Sequence, residues 1–146
     1  MINTIQLILI ILLLKDIEGE IDFGEGMASI YGHGENYQII RQHKEFAQLV
    51  TNTYGAGRSV YLAGLPYSPQ NCRLLLRAIY WAAAKEDEMK KYYVDNVNAE
   101  VAAFEAVGKI VVINNSLDAL DTHLYVEGNL REKLRLAPME MRWLDI

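Results

Sequence analysis

Five acids crowd the ten positions from Asp16 to Glu25, and such a run could cradle a divalent cation if its spacing matched a metal loop. An EF-hand pattern begun at Asp16 needs glycine at its sixth position, where Ile21 stands. Asp16, Glu18, Glu20, Asp22 and Glu25 therefore read as a solvated acidic loop. Arg73 and Arg77 lie one helical turn apart and could clamp an anion. The plainer reading is a solvated stripe paired with nearby acids, because isolated charge pairs specify little. His33, His43 and His123 have no spacing that suggests metal ligation. Cys72 opens an apolar helix, where the helix N-terminus could lower a thiol pKa, but no histidine is placed beside it and a structural thiol is the simpler expectation. Gly24-Glu25-Gly26, Gly32-His33-Gly34 and Gly55-Ala56-Gly57 are too short for a phosphate-cradling GxxxxGK[ST] or GxGxxG and read as turns. Tyr61, Tyr67, Tyr80, Trp81, Tyr92 and Tyr93 are numerous enough for a sugar-stacking platform, yet they are spread over strand, loop and helix. Core or interface packing fits them better. No residue is assigned as catalytic, cofactor-binding or metal-ligating, and no cofactor is implied.

The elements that would position such residues can be read from pattern. With 146 residues, 51% of them hydrophobic, the chain can bury a real core. A net charge of -5 argues against a nucleic-acid partner, which needs a clustered basic face. The single cysteine excludes an internal disulfide framework and fits a reducing, cytoplasmic compartment. The apolar run from Ile5 to Leu14 is too short for a membrane span and lacks the basic flank and cleavage site of a signal peptide. It reads either as a buried strand or as the product of a chance start at Met1 within a longer reading frame.

Beyond it, Met27 to Tyr31 could form a short strand, followed by a turn cluster over Gly32 to Asn36. Glu45 to Thr53 and Arg58 to Ala63 read as two strands around Tyr54 to Gly57, with Gly55 and Gly57 supplying positive φ and Val60 and Leu62 on one face. Ser68 can cap a helix that Pro69 opens. Its apolar residues fall on two sides: Cys72, Leu75, Leu76, Ile79 and Ala83 on one, Leu74, Ala78 and Trp81 on the other. The latter is the side expected to await another layer. The charged run Lys85 to Lys91 ends the helix.

After Lys91 the period becomes strand-like. Asn98 to Glu105 and Lys109 to Asn114 flank Gly108, Asp121 to Glu127 and Glu132 to Leu136 flank Gly128-Asn129, and Glu140 to Leu144 follows Pro138. Val101, Phe104, Ile110, Val112, Leu124, Val126, Leu134, Leu136 and Trp143 supply the expected apolar faces. The predicted fold class is α+β: a partial α/β segment of hairpin plus helix over 1–90, then a small antiparallel β-sandwich over 91–146.

Asp22-Phe23-Gly24-Glu25-Gly26, Gly57-Arg58-Ser59-Val60-Tyr61, Gly64-Leu65-Pro66-Tyr67-Ser68, the helix Arg73 to Trp81 and the closing Met141-Arg142-Trp143-Leu144-Asp145-Ile146 together resemble the C-terminal part of the galacto-N-biose/lacto-N-biose phosphorylases. The resemblance runs from about Ile17 to the end, with Met1 to Leu14 outside it. It implies a parent with a catalytic TIM barrel, a middle amidotransferase-like α/β domain and a C-terminal all-β domain, cleaving a β-linked galactosyl disaccharide with phosphate and without cofactor or metal. It further implies that the barrel holds the catalytic acid and the phosphate and sugar ligands. The expected role of this chain is that of a non-catalytic, scaffolding C-terminal region. Its partners would be the missing barrel and α/β parts, with homo-oligomer formation open, and neither nucleic acid nor membrane. The resemblance leaves the acceptor sugar open. The alternatives are a free carbohydrate-binding or interaction module, which needs an exposed aromatic row involving residues such as Tyr125 and Trp143, and a self-contained enzyme, which needs a pocket of convergent acids.

Overall fold

The computed structural model describes residues 3–17, 19–25 and 36–146. Among these the chain is α+β, with three helices and three small antiparallel sheets. The described residues divide into one compact unit up to Lys85 and a second over Glu86–Ile146.

In the first unit, helix α1 (Thr4–Leu14) leads to a sheet of β1 (Gln38–His43), β2 (Phe46–Tyr54) and β3 (Gly57–Leu62) in that order, then to helix α2 (Pro69–Ala82). The expected N-terminal strand is a helix. A uniformly apolar run carries no period to distinguish the two states, and the deciding signals are polar. Asn3 caps α1, its side chain accepting the Gln6 N–H at 2.7 Å. The Gln6 amide in turn donates to the Ile39 carbonyl at 2.5 Å, which ties α1 to β1. Strand β1 has no counterpart in the sequence reading because its pairing with β2 slips around Ile40 and Arg41. That irregularity breaks the period of two and turns Ile40 into the core. The proposed strand at Met27 to Tyr31 and the turn cluster after it lie outside the described residues.

The β2–β3 hairpin closes through Tyr54↔Gly57. Gly55 has φ 55°, whereas Gly57 is not in the left-handed region, contrary to expectation; a Cβ there would lie 3.3 Å from the Tyr54 carbonyl oxygen. Gly55→Val should therefore cost about 1–3 kcal/mol through backbone strain, and Gly57→Val distinctly less. Equal losses of melting temperature in the two variants would contradict this turn geometry.

Helix α2 begins as expected, with Ser68 Oγ accepting the Asn71 N–H at 3.1 Å and Pro69 in the first turn. Its faces are the reverse of the sequence reading. Leu74, Ala78 and Trp81 are buried, Leu74 and Trp81 in one cluster with Leu9, Leu13 and Leu49, and it is Leu75, Leu76 and Ile79 that are exposed. Both sets have helical spacing, so periodicity alone could not choose between them. Val60 and Leu62 pack against this core from the same face of the sheet.

The second unit opens with helix α3 (Glu86–Lys91), formed by the charged run that was expected merely to end α2. Acids in its first turn and lysines in its last suit the helix dipole. Strands β4 (Tyr92–Val94), β7 (Leu120–Val126) and β8 (Asn129–Leu136) form one sheet, and β5 (Ala99–Phe104), β6 (Lys109–Asn114) and β9 (Met141–Asp145) form the other. Val94, Leu120, Leu124, Leu134 and Leu136 from the first share one core with Ala99, Ile110 and Val112 from the second. Phe104 and Trp143, expected inside, are outside, because strand parity places them with Glu100 and Ala102 and with Met141 and Asp145. The β7–β8 turn is Glu127-Gly128, with φ 50° and 80°, so β8 begins at Asn129, three residues before its expected start.

Candidate functional site

Three polar or aromatic constellations stand out among the described residues, and each joins segments distant in the chain. In the first unit, Asn71 is 2% exposed, and its Nδ2 donates to the carbonyls of Asp22 at 2.8 Å and Pro66 at 2.7 Å. Asp22 Oδ1 accepts the Gly24 N–H at 2.7 Å, folding that segment into a turn. A Cβ on Gly64 would lie 2.4 Å from the Phe23 carbonyl oxygen, so only glycine permits this approach. Asn71 thus fastens two loops together. Its Oδ1 is buried and, among the described residues, has no hydrogen-bond partner.

In the second unit, Asp95 follows β4 and reaches β7. One carboxylate oxygen accepts the His123 backbone N–H at 2.8 Å and the Thr122 hydroxyl at 3.1 Å; the other lies 2.7 Å from His123 Nδ1. An ionised carboxylate only accepts, so Nδ1 carries the proton of this pair. Partial burial works against ionisation of Asp95, but the bonds from the His123 N–H, the imidazole and Thr122 outweigh it and hold its carboxyl below the usual range. Asn96 continues the fastening, its Nδ2 donating to the Asp121 carbonyl at 3.0 Å. This carboxylate–imidazole pair was missed because the sequence gives no sign that residues 28 positions apart meet. The arrangement orients an imidazole and ties the 95–98 turn to β7.

The linkage has a definite sign. A depressed carboxyl pKa contributes stability above the unfolded value of about 3.9 and loses it as pH falls through the lower folded value. Asp95→Asn should lower the melting temperature of the second unit at pH 7, and the gap to the parent should narrow below about pH 4 and close only beneath the lower folded value. The comparison must be a difference, since Glu105 (by Lys91), Glu140 (by the Ala137 N–H, then Arg142) and Asp145 (by Lys109) are also held down. A gap independent of pH would show that Asp95 acts through packing alone.

The third constellation is aromatic. Phe104 and Trp143 lie side by side on the outer face of the β5–β6–β9 sheet, their ring centroids 5.6 Å apart. Tyr125 belongs to the other sheet and stacks on Tyr93 at 4.5 Å. Tyr125 and Trp143 therefore do not form one row.

The remaining sequence candidates disperse. Asp16 lies near Lys15 and Arg77, each 3.9 Å away, and Arg77 also donates to the Lys15 carbonyl. Glu20 and Glu25 are exposed, and Glu18, Gly26, His33 and Gly32 to Gly34 lie outside the described residues. Among the described residues, no three His, Cys, Asp or Glu side chains gather to hold a metal. Cys72 is an exposed free thiol, and His43 is exposed at the end of β1. Trp81 is buried under the Arg58 guanidinium, 5.3 Å from its ring, and Tyr67 is 91% exposed, so the tyrosines and tryptophan build no common platform. Among the described residues, no helix is long and apolar enough to cross a membrane.

Two consecutive domains of one enzyme class account for this arrangement: residues 7–87 match the family model of the lacto-N-biose phosphorylase central domain, and residues 92–144 that of its C-terminal domain. The chain belongs to the lacto-N-biose phosphorylase family. The match begins at residue 7, so most of α1 lies inside the family domain and not outside it as the sequence resemblance suggested. The chain is 42% identical over 130 residues to a 1,3-beta-galactosyl-N-acetylhexosamine phosphorylase of Lachnoclostridium phytofermentans, covering 88% of this chain and 18% of the relative. A second such enzyme from that organism is 38% identical over 132 residues, 90% of this chain and 18% of the relative. The 1,3-beta-galactosyl-N-acetylhexosamine phosphorylase of Bifidobacterium longum is 38% identical over 127 residues, 87% of this chain and 17% of the relative. The chain thus spans less than a fifth of the length of these relatives.

Proposed function

We propose that this chain is the non-catalytic C-terminal region of a phosphate-dependent galactosyl phosphorylase, a scaffold for an enzyme that converts galactosyl-β-1,3-N-acetylhexosamine and phosphate to galactose 1-phosphate and N-acetylhexosamine. The observation that carries the reading is the paired match to central and C-terminal domains within relatives more than five times as long as the matched segment. Asn71 and Asp95 act in the same sense, since both fasten backbone to backbone. On this reading residues 1–90 are the tail of an amidotransferase-like α/β domain and 91–146 a small β-sandwich. Helices packed on a three-stranded sheet support the first, and two sheets sharing one core support the second. The partners are the barrel and the remaining α/β part, and the place is the cytoplasm, consistent with an exposed unpaired Cys72.

A chimera tests this. Replacing the corresponding segment of the 42% identical relative with this chain should leave kcat and KM for its disaccharides within about threefold, as expected when remote contacts are conserved in kind. An altered acceptor preference in a folded chimera would give the segment a direct part in substrate recognition. A second reading, a carbohydrate-binding module, is favoured by the exposed Phe104–Trp143 pair. Trp143→Ala should then abolish binding of galactosyl disaccharides by the chain, measured calorimetrically. No binding by the parent chain discards this reading.

A further inference from the structure

Strands β8 and β9 each lie at an edge of their sheet and are not hydrogen-bonded to one another. An edge strand offers its unpaired backbone groups to any extended chain that meets it. At eight and five residues, β8 and β9 are long enough to template an added strand. Two arginines cross the seam between them in opposite senses. Arg142 of β9 donates through Nη2 to the Arg135 carbonyl of β8 at 2.9 Å, and Arg131 of β8 donates through Nη2 to the Asp145 carbonyl of β9. Arg142 is itself held in place: its Nε and Nη2 donate to Glu140 Oε1 at 2.9 and 2.7 Å, and Glu140 Oε2 accepts the Ala137 N–H at 2.7 Å. The planar fork of a guanidinium, with its five donors, lets one side chain grip a carboxylate and a carbonyl together.

We infer that this reciprocal arginine pair guards the seam against strand addition. It occupies a backbone acceptor on each edge and sets two charges where an incoming strand would have to lay its backbone. The partner it excludes is an extended β-strand of another chain, which would bind through main-chain hydrogen bonds and not through a side-chain pocket. The inference rests on contacts inside the second unit and is independent of the phosphorylase reading.

The test compares the chain with Arg131→Met combined with Arg142→Met, which keeps the apolar stems and removes the donors. Sedimentation velocity across about 1–100 µM should show association at least about tenfold stronger than that of the parent. Hydrogen exchange should show new protection of the β8 and β9 amides in the associated form. The double variant is more negative than the parent chain at -5, so charge repulsion alone would oppose this result. Lys133→Met combined with Arg135→Met changes the net charge equally and removes no donor from the seam, since Arg135 points its guanidinium at Asp121. That control should associate as the parent does. Arg131→Met alone leaves the Arg142–Glu140 pair intact and supplies a folded variant if the double one unfolds; it should strengthen association about threefold. The inference is overturned if the folded variants associate no more than the parent, if the control associates as strongly as they do, or if association leaves the β8 and β9 amides unprotected.

Discussion

The purified chain is expected to release no galactose 1-phosphate from lacto-N-biose, galacto-N-biose or galactosyl-rhamnose in phosphate buffer, nor to make these sugars in the reverse direction. Phosphorolysis of a galactoside needs an acid that still holds a proton near neutral pH, together with cations that gather the attacking phosphate. A general acid of that kind is made by burial away from positive charge, which raises a carboxyl pKa. Among the described residues, the carboxyls with a definite shift run the other way. Asp95 is held down by its His123 and Thr122 hydrogen bonds, which outweigh partial burial, Glu105 by Lys91, Glu140 by the Ala137 N–H and then Arg142, and Asp145 by Lys109. Each is thereby fixed in its ionised form. Turnover should fall below about 10⁻³ s⁻¹, against the 1–10³ s⁻¹ common among enzymes. Discontinuous assay of galactose 1-phosphate with a mock-purified control is sufficient. Turnover that co-elutes with the chain would place a complete active site in it and end the scaffold reading.

Disruption of the meeting between the two loops of the first unit, at Asn71 or at Gly64, is the largest stability effect we expect. Asn71→Ala removes two donated hydrogen bonds and leaves the Asp22 and Pro66 carbonyls to find new partners in a buried place. Each such loss costs about 1–3 kcal/mol, but the substitution also deletes the unpaired Oδ1, which returns part of it. The net expectation is about 1–3 kcal/mol. Gly64→Ala should cost at least as much, about 2–4 kcal/mol, because the new Cβ meets backbone, the Phe23 carbonyl oxygen at 2.4 Å, and backbone cannot swing aside as a side chain can. Tyr67→Ala, at an almost fully exposed position between them in the chain, should stay within about 0.5 kcal/mol. Denaturant melts supply the energies, and hydrogen exchange at residues 22–24 and 64–65 locates the loss. If Asn71→Ala melted with the parent and kept protection there, the loops would be held by apolar packing and the clamp would be incidental.

These two loops explain why the motifs were legible at all. Asp22-Phe23-Gly24 and Gly64-Leu65-Pro66 lie 40 residues apart in sequence, and nothing in their spacing signals that they meet. Their composition is nevertheless constrained by the meeting: glycine where a carbonyl approaches, aspartate where a turn needs an acceptor. Recognition of the family rested on such strings without requiring knowledge of their contact.

By itself, the sequence determined what local chemistry decides. Ser68 and Pro69 started α2, the glycines near 55, 108 and 128 closed three hairpins, and the β-branched run from Lys109 to Asn114 marked β6 to the residue. Tertiary structure decided whatever depended on partners distant in the chain. The apolar run from Ile5 to Leu14, broken only by Gln6, has a local cap at Asn3, but its place beside β1 depends on the bond from Gln6 to Ile39. Helix α2, apolar on two sides, buried Leu74 and Trp81 and left Leu76 and Ile79 outside, because orientation is set by the sheet beneath it and not by period. Phe104 and Trp143 went outward for the complementary reason: once Ile110 and Val112 fixed the inner face of β6, pairing register imposed the parity of both neighbouring strands, whatever the size of the side chains it exposed.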